Sequence, residues 1–134
     1  MLMFGNGECE NSKAAIFARF FELTNMRLDK VRAAQVASLS EHTRAEALLE
    51  ICFVAHLISG TADNFGFQRL ANAAADLEQV HNQIKLRNEK SLDLNFLKIM
   101  QPMVDNLILQ MKVVLALQEI VGCTPASYES LKNV

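Results

Sequence analysis

Tryptophan is absent from this chain, and proline occurs twice and glycine five times in 134 residues. So few helix breakers leave room for long uninterrupted helices. The alternating β-branched pattern of half-buried strands is missing throughout, and no internal repeat or low-complexity tract is visible. Neither charge sign dominates: thirteen Lys and Arg stand against fifteen Asp and Glu, for a formal net charge of −2. With no basic run, the electrostatic footprint of a nucleic-acid binder is missing, and a protein partner fits better. The three cysteines, Cys9, Cys52 and Cys123, show no paired spacing, and the residues from Met1 to Gly7 lack the charged start and apolar core of a signal peptide. A reducing cytoplasm is expected. The most apolar stretch, Ile99 to Gly122, is interrupted by Gln101, Asp105, Asn106, Gln110, Lys112, Gln118 and Glu119, which hydrocarbon would tolerate poorly, so no membrane span is expected.

What is present is apolar residues, 51% of the chain, repeating at helical intervals. Asn11 or Ser12 can cap a first helix running to about Ser38, with Ile16, Phe20, Leu23, Met26 or Arg27, and Val31 on one face. Ser40 reads as the next N-cap, with Thr43 and Glu46 as a weaker capping box. Beyond it, Leu48, Ile51, Ala55, Ile58, Ala62 and Phe65 form a clean bundle seam. A third helix, from about Asn64 or Gly66 to Arg87, carries Phe67, Leu70, Ala74, Leu77, Val80 or His81, and Ile84, and the polar cluster Asn88 to Ser91 ends it. Asp93 or Asn95 starts the last stretch, with Leu97, Met100, Val104, Leu107, Met111, Val114 and Val121 leading to a stop at Gly122 and Pro125. Pro102 is expected to kink or split that stretch. The reading is all-α: one antiparallel up-and-down four-helix bundle over 11–123, with a flexible N-terminus at 1–10 and a polar tail at 124–134.

The informative segment is Ala55-His56-Leu57-Ile58-Ser59-Gly60-Thr61-Ala62-Asp63-Asn64-Phe65-Gly66. It resembles the signature of histidine phosphotransfer (HPt) domains: Ala-His, an aliphatic residue two on, usually Lys-Gly, two small residues, then an apolar residue and Gly. His56, Ile58, Gly60, Thr61, Ala62, Phe65 and Gly66 fall at matching positions. Phe20, Arg27-Leu28, Val31 and Ala34 look like the family's first helix, and Leu70 with Leu77-Glu78 like its third, so the resemblance covers roughly residues 16 to 85. It implies a bundle that accepts a phosphoryl group on His56 from a phospho-aspartyl receiver domain and passes it to another. The partners implied are response-regulator receivers or a hybrid histidine kinase. The receiver would bring the aspartate, the Mg²⁺ and the lysine, so neither cofactor nor metal is expected in this chain, which is read as a carrier rather than an enzyme.

The residues themselves supply physical reasons. His56 follows seam residue Ala55, which turns its ring about 100° from the core line, toward the flank of the bundle. An imidazole with a pKa near its unperturbed value of about 6.5 keeps a lone pair at cellular pH. Gly60 lies four residues on, where any side chain would obstruct an incoming phosphoryl group. Helical spacing places Cys52, Ser59, Gly60 and Asp63 with His56 on the expected partner surface, together with parts of the third helix. Two departures from the family pattern stand out. Ser59 occupies the usual lysine position, and Asp63, about 10.5 Å along the same face, adds a negative charge for which Arg69 would compensate.

Other readings of the same residues are weaker. Asp63 is too far along the helix to orient His56 in a Ser-His-Asp triad with Ser59. Glu78 and His81 make one Glu-x-x-His pair where a di-iron bundle needs two pairs and two further glutamates. Leu57 and Gly60 argue against a sensor-kinase dimerisation helix. A phosphorylation-silent adaptor that binds a receiver or kinase is the alternative that Ser59 and Asp63 favour. The expected state is a monomer or a weak homodimer.

Overall fold

The computed structural model describes residues 2–87 and 91–121, with side chains over 13–87 and 91–119. It contains four helices, α1 (Leu2–Ala37), α2 (Arg44–Asn64), α3 (Gln68–Leu86) and α4 (Leu94–Val121), and no strand among the described residues. Helices adjacent in sequence pack on one another, and α1 closes the ring against α4. Short connections at 38–43, 65–67 and 87–93 force each helix to return alongside the last, the up-and-down bundle the periodicity predicts.

Helix α2 is the central element, packed mainly on α3 and α1. Its seam residues Leu48, Ile51, Ala55, Ile58 and Ala62 are all buried. By length and composition α2, rather than 99–122, is apolar enough to cross a membrane, but its apolar face is spent on its neighbours, as in a core helix. The seams of α3 and α4 also hold: Phe67, Leu70, Ala74, Leu77 and Ile84 are buried on the first, and Leu97, Met100, Val104, Leu107, Met111 and Val114 on the second.

Helix α1 differs from its expected seam. It begins at Leu2, so neither Asn11 nor Ser12 caps it. Its buried face is Phe17, Phe20, Phe21, Thr24, Leu28, Val31 and Ala34, whereas Ile16 and Met26 are exposed. Three phenylalanine rings carry more apolar area than the aliphatic alternatives, and area decides which face turns inward. Thr24 can join that face because its hydroxyl donates to the Phe20 carbonyl at 2.8 Å. Ser40 caps nothing either: α2 starts after Thr43, whose hydroxyl instead donates to the Ala37 carbonyl at 2.6 Å.

Both ends of the bundle are tied by specific chemistry. At one, α2 stops in a Schellman motif, with Gly66 N–H donating to the Asp63 carbonyl (3.0 Å) and Phe67 N–H to the Ala62 carbonyl (2.9 Å). Gly66 has φ 84°, a left-handed conformation that explains glycine there. Phe65 and Phe67, flanking it, stack on Phe20 of α1 at ring separations of 4.4 and 5.4 Å. At the other end the buried Arg44 guanidinium donates to the carbonyls of Ser38 (2.8 Å), Leu92 (2.9 Å) and Leu39 (3.1 Å). One cation thereby joins the α1–α2 and α3–α4 connections.

Asp93 caps α4 by accepting from Phe96 N–H at 3.0 Å. The helix runs through Pro102 unsplit. Pro102 and Lys98 both lie on the exposed side, so the Lys98 carbonyl that loses its partner can turn to water. The predicted stop at Gly122 and Pro125, the tail to Val134, residues Asn88 to Lys90 and the side chains of Cys9, Val121 and Cys123 lie outside the described residues.

Candidate functional site

Turning the apolar seam of α2 inward presents the opposite face to solvent, and His56 stands on it with its side chain 69% exposed. Its Nδ1 lies 3.1 Å from Oε2 of Glu78 on α3. A carboxylate only accepts, so Nδ1 carries the proton in this contact, and in the neutral ring the lone pair is then on Nε2. The second carboxylate oxygen, Oε1, accepts from the Ser59 hydroxyl. That hydroxyl also lies 3.1 Å from the His56 carbonyl, but it has one proton, and an ionised acceptor binds it more strongly. The Ser59 hydrogen bond, more than the contact with His56, holds the Glu78 carboxyl below the usual glutamate range, against the opposing effect of burial. His56, Glu78 and Ser59 thus form one connected set across two helices.

Glu78 is the residue that sequence reasoning missed as a partner of His56. In the sequence it stands as part of the match to the family's third helix and as half of a Glu-x-x-His pair with His81, yet both its oxygens are taken by Ser59 and His56. Among the described residues no three His, Cys, Asp or Glu side chains come together as a metal site. The available signal was that Glu78 follows seam residue Leu77 as His56 follows Ala55, which puts both at the flank of adjoining helices.

The other expected site residues divide. At Gly60 a Cβ would meet nothing within 4 Å, so the chain's own packing does not demand glycine there. Asp63 is exposed on the same side of α2. Cys52 is not on this surface: it is fully buried, and burial pushes its thiol up to about 11. Four residues make slightly more than one turn, so Cys52 and Gly60 diverge in opposite directions from His56, one toward the core and one toward solvent. Arg69 is misplaced as well. Nine residues before Glu78, it lies about half a turn away around α3, and it lines a groove with Leu70, Leu109 and Val113 between α3 and α4. It therefore stands on the side of α3 away from Glu78 and His56.

On the far side of His56 from Glu78, α2 exposes Phe53 and Leu57, at 50% and 38%. With Leu23, Met26, Arg27 and Lys30 of α1 they line a shallow groove. The site is therefore an accessible imidazole with a fixed acceptor on one flank and an apolar strip on the other.

No curated protein and no solved structure matches the chain. The model of the Hpt domain family matches residues 15–112, a span that holds His56, Ser59, Gly60 and Glu78 and well over half of the chain. The chain belongs to the Hpt domain family, the phosphotransfer carriers of two-component signalling.

Proposed function

We propose that this protein accepts a phosphoryl group on His56 Nε2 from the aspartyl phosphate of a receiver domain and returns it to another receiver. The observation that carries the reading is the exposed ring whose Nδ1 faces an acceptor, leaving Nε2 as the free nucleophile. In the transfer the Nε2 lone pair forms the N–P bond as the P–O bond to aspartate breaks, and the aspartate leaves as carboxylate. Glu78 accepts from Nδ1–H as the ring acquires positive charge, so the charge develops against an existing carboxylate. Phosphoryl transfer depends mostly on positioning and charge stabilisation, and the metal and lysine belong to the receiver. The chain acts as a carrier, in the cytoplasm, with a receiver or hybrid kinase as partner.

The receiver docks on the exposed face of α2, with Gly60 beside the reacting nitrogen and Phe53 and Leu57 as the apolar contacts beyond it. Transfer of labelled phosphate from phosphorylated receivers to wild type and His56→Gln tests this. Acid-labile, alkali-stable label on the wild type and none on the variant is the expected result. Ser59, uncharged where the family usually has lysine, favours a second reading in which the bundle binds a receiver without accepting phosphate. Receiver binding by a folded wild type that never takes label is the result that reading requires.

A further inference from the structure

The Ser59 hydroxyl reaches Glu78 Oε1, while Glu78 Oε2 faces His56 Nδ1. We infer that Ser59 is a positioning residue acting through Glu78, and that the pair makes phosphorylated His56 a short-lived species that favours release to a receiver over storage. The inference rests on the proposed carrier function and adds a direction to it.

The chemistry follows from charge. Once Nε2 carries the phosphoryl group, Nδ1 can either keep its proton or expose a lone pair. A lone pair would face the Glu78 carboxylate, so the proton stays, and the leaving group on the return step is neutral imidazole rather than its anion. Protonated phosphoimidazole loses its phosphoryl group more readily for that reason. The products balance: the N–P bond breaks, the phosphorus is taken by a receiver aspartate or by water, and the ring returns to its Nδ1–H form on Glu78. Two carboxylates, Glu78 and the exposed Asp63, also share the face of α2 and α3 on which a doubly negative phosphoryl group would sit. A lysine at 59 would neutralise one of them; a serine only orients it.

The test uses inorganic phosphoramidate, which phosphorylates accessible imidazoles without a receiver. The full chain is labelled and decay of the ³¹P signal that His56→Gln removes is followed in wild type, Ser59→Ala, Ser59→Thr and Ser59→Lys. Ser59→Thr should keep the wild-type lifetime. Loss of one hydrogen bond in Ser59→Ala should lengthen it about threefold, and Ser59→Lys about fivefold, the scale of an exposed charge pair. In unphosphorylated protein, ¹⁵N shifts of His56 should report the Nδ1–H tautomer in wild type and Ser59→Thr and a mixture in Ser59→Ala. Equal lifetimes in wild type, Ser59→Ala and Ser59→Lys, or an unchanged tautomer in Ser59→Ala, would overturn the inference. Because no receiver enters the assay, a failure of the carrier reading in receiver transfer leaves this result separately readable.

Discussion

The two flanks of α2 are built from the same stretch of sequence and obey opposite rules. On the core flank, Cys52, Ala55, Ile58 and Ala62 are almost completely buried. On the other, His56 and Gly60 are exposed, and a side chain added at 60 would touch nothing of the protein itself. Glycine in a helix interior costs about 1 kcal/mol relative to alanine. On the core flank such a cost would be balanced by packing. On the solvent flank no described residue packs against position 60 to balance it, and the proposed docking of a receiver would supply the reason for Gly60.

Substitutions sharpen that contrast. The largest stability effect belongs to the core: Ile58→Ala should cost about 3 kcal/mol by urea unfolding, the usual range for a buried aliphatic truncation, while His56 still takes up phosphate in the folded fraction. An Ile58→Ala protein as stable as wild type would mean that α2 is not packed as described. Next comes Cys52. In a chain with Cys9 and Cys123 replaced by serine, iodoacetamide at pH 8 should alkylate Cys52 on the order of 100-fold more slowly than in the unfolded chain, because burial keeps its thiol protonated. Rapid alkylation would return Cys52 to the exposed flank.

Gly60→Ala should do the reverse of a core change, raising stability by about 0.5–1 kcal/mol while slowing transfer from a receiver. A variant that is both more stable and fully competent would remove the partner-access argument. The smallest effect concerns Glu78. Its carboxyl is held below the ordinary glutamate range by Ser59 and then His56, so the stabilisation it contributes is present above that range and lost as pH falls through its own lowered value. The stability difference between wild type and Glu78→Gln should therefore shrink on acidification below about pH 4, as measured by urea unfolding at a series of pH values. A difference that is constant down to strong acid would mean that the hydrogen bonds on Glu78 do not depend on its charge.

Much of the fold was legible because burial in a helix leaves a periodic record. In α2, α3 and α4 the spacing picks out Leu48 to Ala62, Phe67 to Leu77 with Ile84, and Leu97 to Val114 as the buried seams, while Phe65 and Val80 are only partly covered. The record was ambiguous in α1, where Ile16, Leu23 and Met26 make as good a stripe as Phe17, Phe21 and Leu28, and only the phenylalanine cluster at the α2–α3 turn decides between them. In the site, His56 and Gly60 were legible from their spacing and from the resemblance they carry. Arg69 was not, because closeness in sequence to the end of α2 says nothing of which side of α3 a residue takes.

By itself, then, the sequence determined the all-α class, three of the four buried faces and the exposed histidine, all consequences of periods of three and four residues acting within single helices, while the structure decided that the stretch through Pro102 stays one helix. Only the tertiary structure decided what stands beside that histidine. Glu78 lies twenty-two residues away on another helix, and no local rule links the two. Their meeting depends on how far α2 and α3 slide and rotate against each other, which the packing of both seams sets together.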